Sequence, residues 1–326
     1  MIRHAGVIGT GSYVPENVMT NDNLSELVET SDEWIVSRTG ISERRISTGE
    51  NTSDLAYKAA AKAVESAGLD PKEIDLIICA TITPDSFMPA TACIVQDKLG
   101  AVNAAAFDLT AACTGLIYAM VTAEQFIISG LYRNVLVIGA ETVSKVLDWE
   151  DRATCVLFGD GAGALVLSSE SSGKGILASN LVSDGSKRSM LVCPAIPMIN
   201  PCVKTEGDHP RSKIEMQGQE VFKFAIRTVT DNIKAVLAKA RVTSEEIRYI
   251  IPHQANKRII EQSAKFCDIP VEKFYINLNR FGNTSAATIG IALDEMMQNK
   301  ELKPGDKVIL VGFGGGMTSG AVLLEI

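Results

Sequence analysis

The chain runs through one order of elements twice, and this duplication constrains its fold more than any other feature. The first pass begins with an alanine-rich helical segment, "SDLAYKAAAKAVESAGL" (53–69), and the strand "IDLIICAT" (74–81). It continues through the helix "ACIVQDKLG" (92–100), the strand "AAFDL" (105–109), a turn carrying Cys113, a long apolar helix and the strand "NVLVIGAE" (134–141). The second pass runs "EVFKFAIRTVTDNIKAVLAKARV" (220–242), "IRYIIPH" (247–253), "KRIIEQSAKFC" (257–267) and "FYINL" (274–278). A turn carrying Asn283, the helix "SAATIGIALDEMMQ" (285–298) and the strand "KVILVGFGGG" (307–316) complete it. Helices alternating with short β-branched strands predict an α/β fold of mostly parallel sheets with helices on their faces. Two copies predict a pseudo-symmetric pair of halves, divided here into 1–172 with Cys113 and 173–326 with His253 and Asn283.

Function is sought where the repeat brings chemistry together. Cys113 and Asn283 fall at nearly equivalent strand-to-helix turns, and His253 lies just past a strand end. Ligands of α/β folds gather at the carboxyl ends of strands, so the three side chains are expected to converge between the halves. A cysteine at a helix N-terminus is expected to have a lowered pKa, because free N–H groups and the helix dipole favour the thiolate. Taken singly each residue has a plainer reading: a buried thiol like Cys79, Cys155 and Cys267, a packed or surface histidine, a Gly-Asn-Thr helix cap. Together, a thiol nucleophile, an imidazole and a carboxamide donor suit carbon–sulfur and carbon–carbon chemistry.

Composition removes other classes. A formal net charge of −8 over 326 residues argues against general nucleic-acid binding, which needs a dominant basic surface. Seven cysteines, an odd number with no C-x-x-C pair, read as reduced thiols of a cytoplasmic protein rather than as a disulfide or zinc framework. The longest apolar stretch, 111–131, carries Glu124 and Gln125 near its middle, so no membrane span is expected. "GVIGTGSY" lacks the third glycine of a dinucleotide loop, and Pro15 follows it. "FGDGAGALVL" reads as glycines for a turn and close packing. Residues 183–215, with Pro194, Pro197, Pro201 and Pro210, read as an irregular connection able to cover a site.

The motifs "DLTAACTGL", "PHQANKRII", "NRFGNTSAA" and "GFGGGMTSG", with "SDEWIVSRTGI" and "DRATCVLFGDGAGA", resemble the β-ketoacyl-acyl carrier protein synthase III family of the thiolase superfamily. The resemblance spans essentially the whole chain in the same order. It implies a thiolase-like αβαβα sandwich and a decarboxylative condensation of an acyl-CoA, acetyl-CoA foremost, with malonyl-acyl carrier protein. Cys113, His253 and Asn283 take the catalytic roles, and the backbone N–H groups of Cys113 and Gly315 the oxyanion hole. CoA binding falls to Trp34, Arg38 and Arg152, with Thr30, Phe222 and Asn256 as further members. Phe313 is the apolar neighbour of the cysteine. Met88 matches a residue that closes the partner's acyl pocket across a homodimer, where a flexible thioether would admit primers larger than acetyl.

The carrier protein is acidic, so a local basic patch is implied: Lys223 and Arg227, with Lys234 further along the same helix, then Lys257 and Arg258. The plain reading of these cations is a solvated helix face. No cofactor is implied, since the CoA thioester is a substrate. "GMTSG" and Ser42 depart from common family residues and bear on pocket shape and carrier affinity. A thiolase would place a second cysteine in the glycine run, and elongating synthases a histidine at Asn283. A specialised acyltransferase or condensing enzyme on the same scaffold would keep all three residues and change only the substrates. An inert partner subunit would not be acylated.

Overall fold

The computed structural model describes residues 4–171, 175–198, 200–202 and 212–326. Strand β1 (Gly6–Tyr13) precedes a small ribbon of β2 (Val18–Thr20) and β3 (Glu43–Arg45), which brackets α1 (Asn21–Ser25) and α2 (Asp32–Thr39). The first half continues with α3 (Thr52–Ser66), β4 (Leu76–Ala80), α4 (Thr91–Leu99), β5 (Ala105–Leu109), α5 (Gly115–Ile128), β6 (Asn134–Glu141), the single turn α6 (Arg152–Cys155) and β7 (Gly161–Ser168). The second comprises β8 (Gly175–Ser183), a ribbon of β9 (Leu191–Val192) with β10 (Glu215–Met216), α7 (Gly218–Ala240), β11 (Ile247–Pro252) and α8 (Lys257–Cys267). The short α9 (Leu278–Phe281), α10 (Thr288–Gln298), β12 (Lys307–Gly314) and β13 (Thr318–Glu325) close the chain. The boundary expected at 172/173 and Pro210 lie outside the described residues.

The duplication is visible strand by strand. One sheet has the order β1-β7-β6-β4-β5 and the other, read the same way, β8-β13-β12-β11. Directions repeat as well: β1/β7 and β8/β13 are antiparallel, β7/β6 and β13/β12 antiparallel, β6/β4 and β12/β11 parallel. The sheets are therefore mixed, not mostly parallel. The antiparallel strands lie at the joints between units: β12 returns into β13 through the short turn Gly315–Met317, and β6 into β7 through residues 142–160, which carry α6. "GVIGTGSY" is the strand β1 in full rather than a loop.

One expected strand is missing. Of "FYINL", Phe274 alone bridges Ile250, with Tyr275 N–H donating to Ile250 O, and the chain then turns into α9. Gln254 explains the break. Its buried amide accepts from Asn277 N–H (3.0 Å) and donates to Tyr275 O (3.0 Å) and Pro252 O (2.8 Å), so one side chain takes up the peptide groups that a ladder would use.

Five layers result, as the resemblance implies. Helices α5 and α10 lie between the two sheets, where Leu116, Ile117, Met120, Ile289, Leu293 and Met296 pack against Ile78, Val137, Leu165 and against Ile251, Leu310, Val322. The outer face of the first sheet is covered by α3 and α4 through Leu55, Ala59, Ala63 and Val95. On the outer face of the second, α7 and α8 present Ala225, Val229, Ile233 and Ile260. The halves touch closely where β7 meets α10: a Cβ on Gly163 would stand 2.5 Å from Gly290 C, and one on Gly290 2.9 Å from Gly163 Cα. Glycine at both positions lets strand and helix backbones meet.

Candidate active site

Both central helices begin with the same device. A single 3-10 turn, Ala112–Thr114 before α5 and Ser285–Ala287 before α10, starts on a residue with positive φ, Ala112 at 47° and Ser285 at 50°. Non-glycine residues pay of the order of 1 kcal/mol for this conformation, so the packing around them holds it. The turns are equivalent but their reactive residues are not in register. With Ala112 set against Ser285, Cys113 stands opposite Ala286, and Asn283 opposite Thr110.

Cys113, His253, Asn283 and Phe313 line one cavity of about 170 Å³, with Gly314, Phe222 and Asn256 further along its wall. The three residues expected to converge do so. Gly314 makes this possible, because a Cβ there would fall 2.7 Å from Cys113 N. Phe313 lies edge-on to the His253 ring, centroids 5.2 Å apart. On the other side of the sulfur lies a larger cavity of about 740 Å³, mostly apolar in lining, which Cys113 and Gly315 also border. Leu191, Cys193, Pro194 and Ile214 form part of its wall, so the proline-containing connection does cover a site.

Local hydrogen bonds aim the polar groups. Asn283 Oδ1 accepts from Ser285 N–H (2.9 Å), which leaves its NH2 as the end free to donate. His253 Nδ1 lies 2.7 Å from Thr288 Oγ1, itself 3.2 Å from Ser285 O. When the threonine proton serves the shorter contact, Nδ1 accepts and Nε2 carries the ring N–H. Burial lowers the His253 pKa to about 3, so the ring is neutral at working pH.

Cys113 corrects the expectation of a lowered pKa. The side chain is 7% exposed, and desolvation pushes the thiol up to about 12; the Ser285 hydroxyl opposes this and the Glu141 carboxylate adds to it. Loss of hydration outweighs the helix N-terminus in the resting protein, and the residue is a thiol. Glu141, at the end of β6, is fully buried and raised to about 7 by desolvation, against hydrogen bonds from Thr83, Ile82, Ser285 and Thr81. Neither Glu141, Ser285 nor Thr288 was singled out from sequence. The available signals were a carboxylate ending an otherwise apolar strand and hydroxyls within a helix-cap string.

Of the residues assigned to CoA, Phe222 and Asn256 line the smaller cavity, and Trp34, Arg38 and Arg152 form a cluster of their own. Ser31 caps α2 and Gly40 (φ 81°) ends it, presenting Trp34 half-buried between Arg38 and Arg152, whose guanidinium carbons lie 4.8 and 4.7 Å from the ring centroid. Asn256 joins this group to the cavity by donating to Arg38 O (3.0 Å) while capping α8. Thr30 Oγ1 is buried without a partner among the described residues. Arg258 reaches toward Phe222, 5.9 Å from its ring centroid. Of the basic residues, Lys223 pairs with Glu220 (2.8 Å), Arg227 with Asp231 (3.7 Å) and Lys257 with Glu261 (3.8 Å), which leaves Lys234 and Arg258 as the members of the expected patch without a carboxylate partner among the described residues. Met88 is 85% exposed and does not line the larger cavity of its own chain, whereas Phe87 does.

Comparison with known proteins agrees with this geometry. Residues 107–185 match the 3-oxoacyl-[acyl-carrier-protein (ACP)] synthase III family and residues 237–326 its C-terminal region. The β-ketoacyl-[acyl-carrier-protein] synthase III of Clostridium acetobutylicum is 54% identical over 319 residues, covering 98% of either chain. The chain belongs to the β-ketoacyl-[acyl-carrier-protein] synthase III family. A second synthase III, from Caldanaerobacter subterraneus, is 51% identical over 96% of this chain and 95% of its own. Among solved structures, the synthase III of Aquifex aeolicus superposes with a TM-score of 0.92 at 48% identity, covering 99% of this chain and 100% of that one. The Thermus thermophilus enzyme gives 0.92 at 42%, covering 98% and 99%. The thiolase-type fold is therefore established, and the protein is an acyltransferase of the condensing class that initiates fatty-acid synthesis. Among the described residues, no helix is long and apolar enough to cross a membrane.

Proposed function

We propose that the protein condenses an acyl-CoA, acetyl-CoA foremost, with malonyl-acyl carrier protein to give 3-oxoacyl-acyl carrier protein, CoA and CO2. Support for this reading comes from one observation above all: thiol, imidazole and carboxamide border a single buried cavity in a chain of this family. Cys113 Sγ attacks the thioester carbonyl, and the N–H groups of Cys113 and Gly315 receive the developing oxyanion. The acyl group is held in the larger cavity while CoA leaves through the smaller one. The malonyl thioester then enters by the same route. His253 Nε2–H and Asn283 NH2 receive the negative charge that gathers on its thioester oxygen as CO2 departs, and the enolate carbon attacks the acyl-cysteine. Two uncharged donors suit this step, because a stronger acid would quench the enolate by protonation; each is worth about 10²- to 10³-fold in rate.

In this reading Trp34, Arg38 and Arg152 hold the adenine and phosphates of CoA, with Thr30, Phe222 and Asn256 along the entry. Planar guanidinium groups serve both stacking and phosphate pairing. Arg258, with Lys223, Arg227 and Lys257 around it, receives the acidic carrier. Met88, so exposed in one chain, closes the partner's larger cavity in a homodimer. The protein works in the cytoplasm, and the reaction as written calls on no cofactor. The test is mass spectrometry of the intact protein after incubation with a panel of acyl-CoAs, followed by transfer to malonyl-acyl carrier protein. An acyl adduct that maps to Cys113 and disappears in Cys113→Ala is expected. No adduct from any acyl-CoA overturns the reading, and an adduct that is never passed to malonyl-acyl carrier protein points to a specialised substrate.

A further inference from the structure

The resting thiol leaves one matter of chemistry unsettled: where the Cys113 proton goes when the sulfur attacks. His253 is poorly suited to take it, because its Nε2–H is needed as a donor in the later step and burial has made the ring a weak base. The opposite side of the sulfur offers another route. Cys113 Sγ donates to Ser285 Oγ at 3.5 Å, and Ser285 Oγ donates to Glu141 Oε1 at 3.1 Å. The carboxylate is held from three further directions, by Thr81 Oγ1 (3.1 Å), Thr83 Oγ1 (2.5 Å) and Ile82 N–H (3.1 Å). A buried carboxylate tied down by hydroxyls, with no cation hydrogen-bonded to it among the described residues, is costly to keep in a fold.

We propose that Ser285 is a further catalytic residue, passing the Cys113 proton on, and that Glu141 is the positioning residue that orients Ser285 and holds the proton between the two half-reactions. The proposal rests on the acyl-transfer reading above. As the bond from Cys113 Sγ to the acyl carbon forms, the thiol proton moves to Ser285 Oγ and the serine proton to Glu141 Oε1. The acyl carbon–sulfur bond to CoA breaks, and the CoA thiolate takes a proton from solvent. In the second half, the enolate carbon bonds to the acyl carbon and expels Cys113 as thiolate, which recovers its proton from Glu141 through Ser285. The cycle thus consumes one solvent proton and returns all three side chains to their starting state.

The two titratable groups beside the thiol are pushed in opposite directions, His253 to about 3 and Glu141 to about 7. Of the two, the carboxylate is the base matched to neutral pH. The groups facing Glu141 are Cys113 and Cys79, Cys193 across the larger cavity, and Lys145 with its neighbours Asp85 and Asp160. Burial pushes the thiols of Cys79, Cys113 and Cys193 up and the Lys145 ammonium down, and within this set Glu141 is the carboxylate hydrogen-bonded, through Ser285, to the Cys113 sulfur.

The test follows the pH dependence of Cys113 alkylation by iodoacetamide from pH 5.5 to 9, read by peptide mapping, in the full-length protein, Glu141→Gln and Ser285→Ala. The rate of the unaltered protein is expected to rise to about pH 7 and then level off. Both variants are expected to react about 10²-fold more slowly at pH 7, the usual size of a general-base contribution, and to climb about tenfold per pH unit through pH 9 as free thiolate alone reacts. Ser285→Ala keeps the carboxylate and its other three donors, so it reports even where Glu141→Gln is poorly folded. Profiles of one shape in all three proteins overturn the relay. A parallel arm with acetyl-CoA separates the two readings: no acetyl adduct in the unaltered protein removes the acyl-transfer function, while the alkylation profile still decides the relay.

Discussion

The turn before α5 and the turn before α10 have one backbone and two chemistries. Each is a 3-10 turn opened by a positive-φ residue and docked between the sheets, yet the first offers a nucleophile and the second hydrogen-bond donors and acceptors. The offset of three residues between Cys113 and Asn283 is what makes them complementary. In register they would occupy symmetric places on their own halves; out of register, Asn283 faces the cavity and Ser285 meets the sulfur. Duplication supplied two identical mounts, and a short slip in where function sits turned a symmetric pair into a divided site.

Substitutions on the two sides should break activity in different ways. Cys113→Ala is expected to abolish acyl transfer, a loss of about 10⁴-fold or more in overall turnover, while CO2 release from malonyl-acyl carrier protein persists in a radiometric assay. Next in size, Asn283→Ala should slow decarboxylation and condensation by about 10²- to 10³-fold. It should leave acetylation of Cys113 by acetyl-CoA within a few-fold, as read by intact mass. Both steps failing equally in Asn283→Ala would show that the second turn does not divide its work from the first.

The neighbouring histidine gives the comparison a pH signature. Because burial depresses the His253 pKa to about 3, the ring stays neutral as pH falls through 6.5, where an ordinary histidine takes up a proton. Decarboxylation by Cys113→Ala is therefore expected to hold its rate from pH 8 down to 5.5, whereas acylation of the unaltered protein weakens below about 7. A decarboxylation rate that halves near pH 6.5 would place His253 among ordinary imidazoles.

Smaller effects test the mount and the Trp34 cluster. Gly163→Ala forces a methyl against Gly290, and overpacking of this kind costs about 1–3 kcal/mol, measurable as a lowered denaturant midpoint. Arg38→Ala removes one of two guanidinium groups over Trp34, whose contribution of about 0.5–1 kcal/mol at an exposed site translates to a few-fold rise in the KM for acyl-CoA at nearly constant kcat. An unchanged KM would detach this cluster from CoA recognition.

The repeat could be read from the alternation of helix and strand, while the five-layer order rested on the family resemblance. The convergence of Cys113, His253 and Asn283 could be read as the repeat was, since strand ends and helix starts are marked by local pattern. Strand direction was less legible: β6 to β7 carries only the single turn α6 and β12 to β13 only a short 3-10 turn, but the apolar pattern of a strand is indifferent to its neighbour's direction. The missing fifth strand of the second half was hidden because Phe274–Leu278 has ordinary strand composition, and only a glutamine twenty residues earlier reveals that its backbone is occupied. The charge state of Cys113 was read the wrong way for a similar reason. A helix start is visible in sequence, but the desolvation that outweighs it depends on what the other half packs on top. Glu141 and Ser285 were passed over because each fits a local motif, and their connection spans 144 positions.

The larger cavity takes part of its wall from Pro84, Ser86 and Phe87 in the loop after β4 and from Leu191, Pro194, Ala195 and Ile214, none of which the proposed reaction employs as a donor, base or nucleophile. On the proposed reading, the pieces that select the acyl group and the pieces that make and break bonds can thus drift separately. In that case a lineage can retune the acyl group it accepts by editing a surface connection, with the reacting groups inherited untouched.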